Sequence, residues 1–335
     1  MNAVRYWCAL ALAACVARTA AAQAEEPIKI GFVKTAGAGP LYVAQDRGYF
    51  AAEGLAVTFV VFEAAQIVTQ ATLTGDIDVG TSGLSAAFYN LAAKGGLKLV
   101  GGTAREAPGF HTTAFLAPNR AWDSGVTSFK TLEHRSIAVP QMGGPLHYEV
   151  ALIAAKYGLD IGTMRLLTFQ TVPNVANAVI GGQPDVGLVP SNLAQQILDR
   201  GQAHNLGWVG EETPWQFSAI FVATKTADRR GAMIEATLRA FRKGAHDFAA
   251  AFTSPDGKRE DGPTAPAILA ILAKNLDQPV SQLEQSIGYV DPDARLDIKD
   301  VRRQVEWFKA QHMIPDDANS AGMIDLRYVR PLEAD

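Results

Sequence analysis

The chain has 335 residues, with 30 lysines and arginines against 34 aspartates and glutamates, a net charge of −4. That balance excludes the basic surface a nucleic-acid partner calls for. After the first two dozen residues no apolar run is long enough to span a membrane as a helix.

Residues 1–24 read as a secretion leader. Met1 to Arg5 carry one positive charge, Tyr6 to Val16 form a short apolar run, and small residues follow at Ala20–Ala22 and Ala22–Ala24. Cleavage is expected after Ala24, with Ala22 second. Leu12-Ala13-Ala14-Cys15 also has the look of a lipoprotein box, which would leave Cys15 as a lipidated N-terminus. Removing the leader leaves 311 residues with 28 basic and 34 acidic side chains, a net −6, and no cysteine, because Cys8 and Cys15 both precede the cut. A disulfide, a thiolate nucleophile and a cysteine metal site are thereby excluded from the mature chain, and its core alone must hold it.

From Ile28 onward β-branched runs alternate with helical patterns. Strands are expected at Ile28–Val33, Val57–Phe62, Ile77–Val79 and Leu97–Thr103, with helices at Pro40–Ala52, Ala64–Leu73 and Ser85–Ala93 between them. The pattern then resets. Strands at Thr112–Leu116, Ser136–Val139, Arg165–Phe169, Val186–Val189 and Leu206–Val209 interleave with helices at Leu146–Tyr157, Val172–Ile180 and Ser191–Arg200. A strand at Phe217–Thr224 precedes helices at Ala227–Phe252, Ala265–Asn275, Ser281–Ile287 and Ile298–His312. Such alternation implies βαβ units and mainly parallel sheets.

The two series match in detail. GFVKTAGAGPLYVAQDRGYFAAEGL (31–55) and AVPQMGGPLHYEVALIAAKYGLD (138–160) each run from a strand through a Gly-rich loop into a Pro-opened helix. LTGDIDVG (73–80) matches IGGQPDVG (180–187). Each loop sits at a strand's carboxyl end and feeds a helix N-terminus, where backbone amides lack partners and the dipole adds positive charge. In open α/β sheets ligands lie beyond those strand ends. Thr81, Ser82 and Ser191 read equally as helix caps, Asp78 and Asp185 as braces of their turns. Tyr42 and His147, at matched helix starts, are open between cleft and packing roles.

No constellation for catalysis assembles. GxxxxGK[ST], GxSxG and HExxH are absent, GAGPLYVA does not complete a dinucleotide fingerprint, and the six histidines are scattered. No cofactor or metal is expected, and no enzymatic activity.

The opening IKIGF…PLYVAQDRGYFAAEGL, then LTGDIDVGTSG with LKLVGGTA, and finally VEWFKAQHMIPDD (305–317) resemble the sulfonate/nitrate/taurine class of ABC-importer periplasmic solute-binding proteins, a family that the thiamin-pyrimidine synthases resemble. The resemblance covers nearly the whole mature chain. It implies an α/β, two-lobed Venus-flytrap fold, type II-like, with two crossover strands: lobe I at 25–115 plus 216–335, lobe II at 116–215. It also implies ligand contacts at Ala38, Gly39 and Pro40, at a Thr81–Ser82 turn, and at Gln141, Met142, Gly143 and Gly144. Tyr42 and Trp215 are added as aromatic walls, each open to a packing role, with Phe110 as a third. The AGAGP loop departs from the usual sulfonate pattern by offering backbone rather than side-chain donors. Lys34, Arg105 and His111 are the nearest charged or polar candidates for a negative ligand. The expected protein is a periplasmic monomer that binds a small-molecule ligand and an inner-membrane ABC permease. Its rivals are a pyrimidine-acting enzyme on the same fold, against which the cysteine-free mature chain speaks, and a ligand sensor docking on a receptor.

Overall fold

The computed structural model describes residues 25–332; the leader, its cleavage site and Cys15 lie outside the described residues. In chain order β1 (Glu26–Val33), α1 (Gly39–Asp46), α2 (Tyr49–Ala52), β2 (Leu55–Phe62), α3 (Ala65–Thr74), β3 (Val79–Gly83), α4 (Ala86–Ala93), β4 (Leu97–Gly102) and β5 (Ala104–Glu106) come first. Then follow β6 (Thr113–Pro118), α5 (Asn119–Asp123), β7 (Ser136–Val139), α6 (Pro145–Tyr157), β8 (Arg165–Thr168), α7 (Val172–Ile180), β9 (Val186–Pro190), α8 (Ser191–Asp199) and β10 (Ala203–Trp208). The return runs through α9 (Val209–Glu212), β11 (Trp215–Gln216), β12 (Ser218–Ala223), α10 (Thr224–Arg229), α11 (Gly231–Phe252), α12 (Ala265–Leu276), α13 (Val280–Glu284), β13 (Tyr289–Val290) and α14 (Ile298–Ala310).

Two five-stranded sheets result, ordered β2-β1-β3-β12-β4 and β10-β6-β9-β7-β8. Each contains an antiparallel strand supplied by a crossover: β6 runs against β9 and β10, and β12 against β3 and β4. Because β6 pairs along its whole length in the second sheet, a division at 115/116 would cut a strand; the sheets separate before Thr113. The other expected division, at 215/216, falls inside β11, and the second sheet ends at Trp208.

The internal repeat is visible in register. Ile30 pairs with Val79 in parallel, as Ile137 does with Val186. One residue before each pair, an aspartate closes a ring. Asp78 donates its amide to the Lys29 carbonyl (2.9 Å) and accepts the Lys29 amide on its carboxylate (2.8 Å). Asp185 does the same with Ser136, at 3.0 and 2.9 Å. The repeated D-V-G motif is thus a brace between two parallel strands.

Three expected elements differ. β3 begins at Val79 and runs through Gly83, so Thr81 and Ser82 lie on a strand rather than a turn. As a central strand it has both backbone edges paired, to β1 and β12, and this overrides the weak strand preference of Gly and Ser. The helix expected over 40–52 breaks at Gly48, whose φ is +70°. The one expected over 227–252 breaks at Arg230, whose side chain turns to Glu26 and Asp78.

α1, which follows the first Gly-rich loop, lies on α11. Leu41, Tyr42 and Val43 join Phe32, Phe241 and Phe248 in one buried cluster. The approach is closest at Gly244, where an added Cβ would stand 2.2 Å from the Pro40 carbonyl and 3.0 Å from the Ala44 amide nitrogen. Gly244→Ala should therefore destabilise the protein by about 1–2 kcal/mol in urea unfolding, overpacking outweighing the roughly 1 kcal/mol that alanine adds to a helix. A variant as stable as the parent would show that α1 is free to slide.

Candidate ligand-binding cleft

Two turns that follow the carboxyl ends of parallel strands, one from each sheet, meet. The Gly143 carbonyl of the second unit accepts the Ala86 amide of the first at 2.9 Å. Gln66 on α3 and Gln141 exchange two side-chain amide bonds, of 2.8 and 3.0 Å. A Cβ added at Gly83 would lie 2.7 Å from Cγ of Pro145. The lobes are in contact across the β3–α4 and β7–α6 turns.

The α6 turn is held from within. Gly143 has φ +71°, a conformation side chains disfavour, and donates its amide to Nδ1 of His147 at 3.0 Å. His147 is buried, its ring edge-to-face with Trp307 at 5.0 Å. Burial lowers its pKa to about 4. The imidazole is neutral at pH 7, and Nδ1, the atom that accepts from Gly143, is its unprotonated nitrogen.

Helix starts around the gap fall into two kinds. α4 is capped by Ser85, which accepts the Phe88 amide, and α7 by Thr171. α1, α6 and α8 have no capping side chain, and α1 and α6 each carry Pro at the first turn. The Gly39 amide of α1 is taken by the Ala36 carbonyl and the Ser191 amide of α8 by the Thr112 carbonyl, whereas the first-turn amides and dipole of α6 remain available to a polar group brought from outside. Because Ser85 is the cap, Thr81 and Ser82 are not. The hydroxyl of Thr81, mid-strand in β3 and paired in register with Phe32, makes no hydrogen bond among the described residues. Ser191 opens α8 as its first residue, its amide bonded to the Thr112 carbonyl.

Of the expected contact residues, Gln141, Gly143 and Gly144 stand where the lobes meet, and Met142 is 48% exposed at their rim. Ala38 and Pro40 are at the uncapped start of α1. Gly39 packs inward: its added Cβ would meet the Phe248 ring at 2.4 Å. Two expectations are corrected. Tyr42 is no cleft wall but a core residue, edge-to-face with Phe32 (5.5 Å) and Phe59 (5.8 Å), burial pushing its phenol up to about 12. Trp215 is wholly buried against Tyr148 (5.1 Å) and Phe217 (5.4 Å), below the crossover rather than at the cleft mouth. Phe110 is likewise buried, on Tyr289 at 5.4 Å. Arg105 is paired with Asp297 at 3.1 Å, His111 stacks on Trp208 at 4.6 Å, and Lys34 is exposed.

Residues that sequence reasoning missed are those that join the two crossovers. The Thr103 and Ser218 hydroxyls bond at 2.5 Å. Asp300 and Gln304 of α14 take the Gln216 amide (2.7 Å) and carbonyl (2.9 Å). Only the i, i+4 spacing of those two residues on a helix hinted at a shared face. A separate shallow hollow, lined by Pro118, Arg120, Gly182 and Gln202, lies at the opposite end of the second sheet and takes no part in the gap. Among the described residues no group of three or more His, Cys, Asp or Glu is placed to hold a metal.

Residues 36–256 match the protein family described as NMT1/THI5 like. The chain belongs to that family. Several solved structures share the fold of this NMT1/THI5-like protein. The alkanesulfonate-binding protein SsuA from Xanthomonas axonopodis pv. citri bound to MOPS is 19% identical, with a TM-score of 0.69 over 89% of this chain and 98% of that one. The periplasmic aliphatic sulphonate binding protein SsuA from Escherichia coli is 17% identical, with a TM-score of 0.71 over 90% and 98%. The periplasmic nitrate-binding protein NrtA from Synechocystis PCC 6803 is 13% identical, with a TM-score of 0.63 over 88% and 83%. At these identities the likeness is one of fold, the periplasmic-binding-protein fold. No curated protein sequence matches the chain.

The buried, neutral His147 makes a pH-dependent contribution. Its folded pKa of about 4 lies below the ordinary histidine value near 6.5. Its stabilisation is therefore complete above pH 6.5 and is lost as pH falls toward 4. Compared with His147→Gln, which keeps an acceptor but does not titrate, the parent should lose about 2–3 kcal/mol more on going from pH 7 to 4.5. Chemical denaturation at the two pH values measures this, and taking the difference cancels other titrating groups. Equal losses would place the ring outside the turn.

Proposed function

We propose that this NMT1/THI5-like chain is the extracytoplasmic solute-binding subunit of an ABC importer. It captures a small organic solute bearing a sulfonate or carboxylate, aromatic ones included, between two lobes and delivers it to an inner-membrane permease. The lobes divide before Thr113 and after Trp208. The role is binding and not catalysis, and the leader at 1–24 directs export to the periplasm, where the protein works as a monomer.

The observation that carries this reading is the meeting of the β3–α4 and β7–α6 turns, Ala86 against Gly143, with the uncapped start of α6 at that contact. Backbone amides at helix N-termini bind anionic head groups without a resident cation. The solved relatives described above are sulfonate-binding and nitrate-binding proteins. Ala38, Pro40, Thr81, Gln141, Gly143 and Gly144 are the proposed contacts. Closure over a solute that touches both lobes is a hinge motion, driven by its differential affinity for the closed form.

A melting-shift screen of sulfonates, carboxylates, nitrate and pyrimidines tests the reading. A true solute at a hundredfold excess over its Kd should stabilise the protein by about 2.7 kcal/mol. No response across all four classes would overturn it. For the solute so found, Gln66→Ala and Gln141→Ala should each raise Kd by up to about tenfold through faster release, and the double variant by no more than either alone. Additive losses would mean the two amides act separately.

A further inference from the structure

Beneath the gap, where both crossovers pass, two glutamates are buried together. Glu106 ends β5 and is 1% exposed; Glu149, on the second turn of α6, is fully buried. β5 lies in the first crossover and pairs with β11 of the return crossover and with β13, whereas α6 belongs to the second unit. Thr112 and Thr113, consecutive residues where the first crossover enters β6, each reach one of the two carboxyls, so the pair lies at the hinge between the crossover and the second unit.

Their surroundings supply hydroxyl donors but no cation. The Thr112 hydroxyl donates to Glu106 and the Thr113 hydroxyl to Glu149 at 3.4 Å, both from the entry to β6. Glu106 Oε1, Glu149 Oε2 and Trp215 Nε1 are buried without a hydrogen-bond partner among the described residues. No lysine, arginine or histidine among the described residues pairs with either carboxyl. Arg105 turns to Asp297, Arg303 of α14 to Asp300, and His111 to Glu211 at the surface. Tyr148, beside Glu149, has a phenol raised by burial and is not a charge at neutral pH. The lower edge is the α9 backbone at Gly210, against Ala107.

Two carboxylates cannot both stay charged in such a place. Burying one uncompensated charge costs several kcal/mol, and a second of like sign nearby costs more. Burial accordingly raises both, Glu106 to about 7 and Glu149 well above the ordinary range, the Glu106 charge adding to the latter.

We infer that the Glu106–Glu149 pair is a proton-dependent strut across the hinge, holding the lobes together while both carboxyls are protonated and letting them separate when the first proton leaves to solvent. The sign follows from linkage. These carboxyls hold protons more tightly in the closed form than when exposed, so closure is favoured at low pH and loses that support as pH rises through about 7. The ligand-free protein would then close more readily in mildly acidic surroundings.

The test needs no ligand, so it stands apart from the identity of the solute. The radius of gyration of the ligand-free protein is followed by small-angle X-ray scattering from pH 5 to 9, with infrared detection of protonated carboxylic acid over the same range. The expected result is a rise in radius with a midpoint near pH 7 that coincides with partial loss of the carboxylic-acid band, one of the two acids ionising. Glu106→Gln and Glu149→Gln, of the same shape but without the second charge, should each abolish the step and keep the lobes closed throughout. A radius that stays constant in the parent, a step that survives in both variants, or an acid band that does not diminish between pH 5 and 9 would each overturn the proposal. Should a variant fail to fold, coincidence or mismatch of the two parent midpoints decides it.

Discussion

The chain passes between its two sheets twice, and the two passages lie side by side. β5 pairs with β11, the Thr103 and Ser218 hydroxyls join, and α14 grips Gln216 through Asp300 and Gln304. Everything else follows from this joint. It obliges β6 and β12 to enter their sheets antiparallel to their main neighbours. It also brings together two turns that follow the carboxyl ends of parallel strands, one from each sheet. Without it the duplicated halves would be two separate α/β units with nothing to enclose.

The same joint explains where the apolar core lies. One buried cluster runs without interruption from Phe88 and Tyr89, through Phe308 on α14 and Tyr148 on α6, to Phe115 and Phe129. Trp215 sits within it, which is why an aromatic that could have faced the cleft is covered instead. A continuous core under the hinge favours a limited set of lobe arrangements, because packed interiors are bistable rather than freely deformable. The contacts proposed above it are small and amide residues, so in that proposal backbone groups rather than charged side chains carry the polarity.

Local signals were strong wherever the repeat was strong. Ser136–Val139 and Val172–Ile180 are seen at their expected bounds, and D-V-G marks the same strand brace in both halves. Tyr42 and His147 occupy matched positions in sequence yet do different work. One fills the core of the first unit, and the other pins the Gly143 turn. A repeat predicts where a residue stands along a helix, whereas the partner packed against that helix decides its role: α11 covers α1, and α14 meets α6.

The amino-acid sequence by itself determined the alternation of strands and helices, the duplication, the Gly-rich turns at strand ends and the absence of cysteine after residue 15. These are properties of neighbours along the chain, set by periodicity, backbone freedom and composition. Only the tertiary structure decided that β3 continues through Thr81 and Ser82, that Trp215 is buried, that Gln66 meets Gln141, and that Glu106 lies against Glu149. Each depends on groups 40 to 140 positions apart in sequence, brought together by crossovers whose pairing no local pattern encodes.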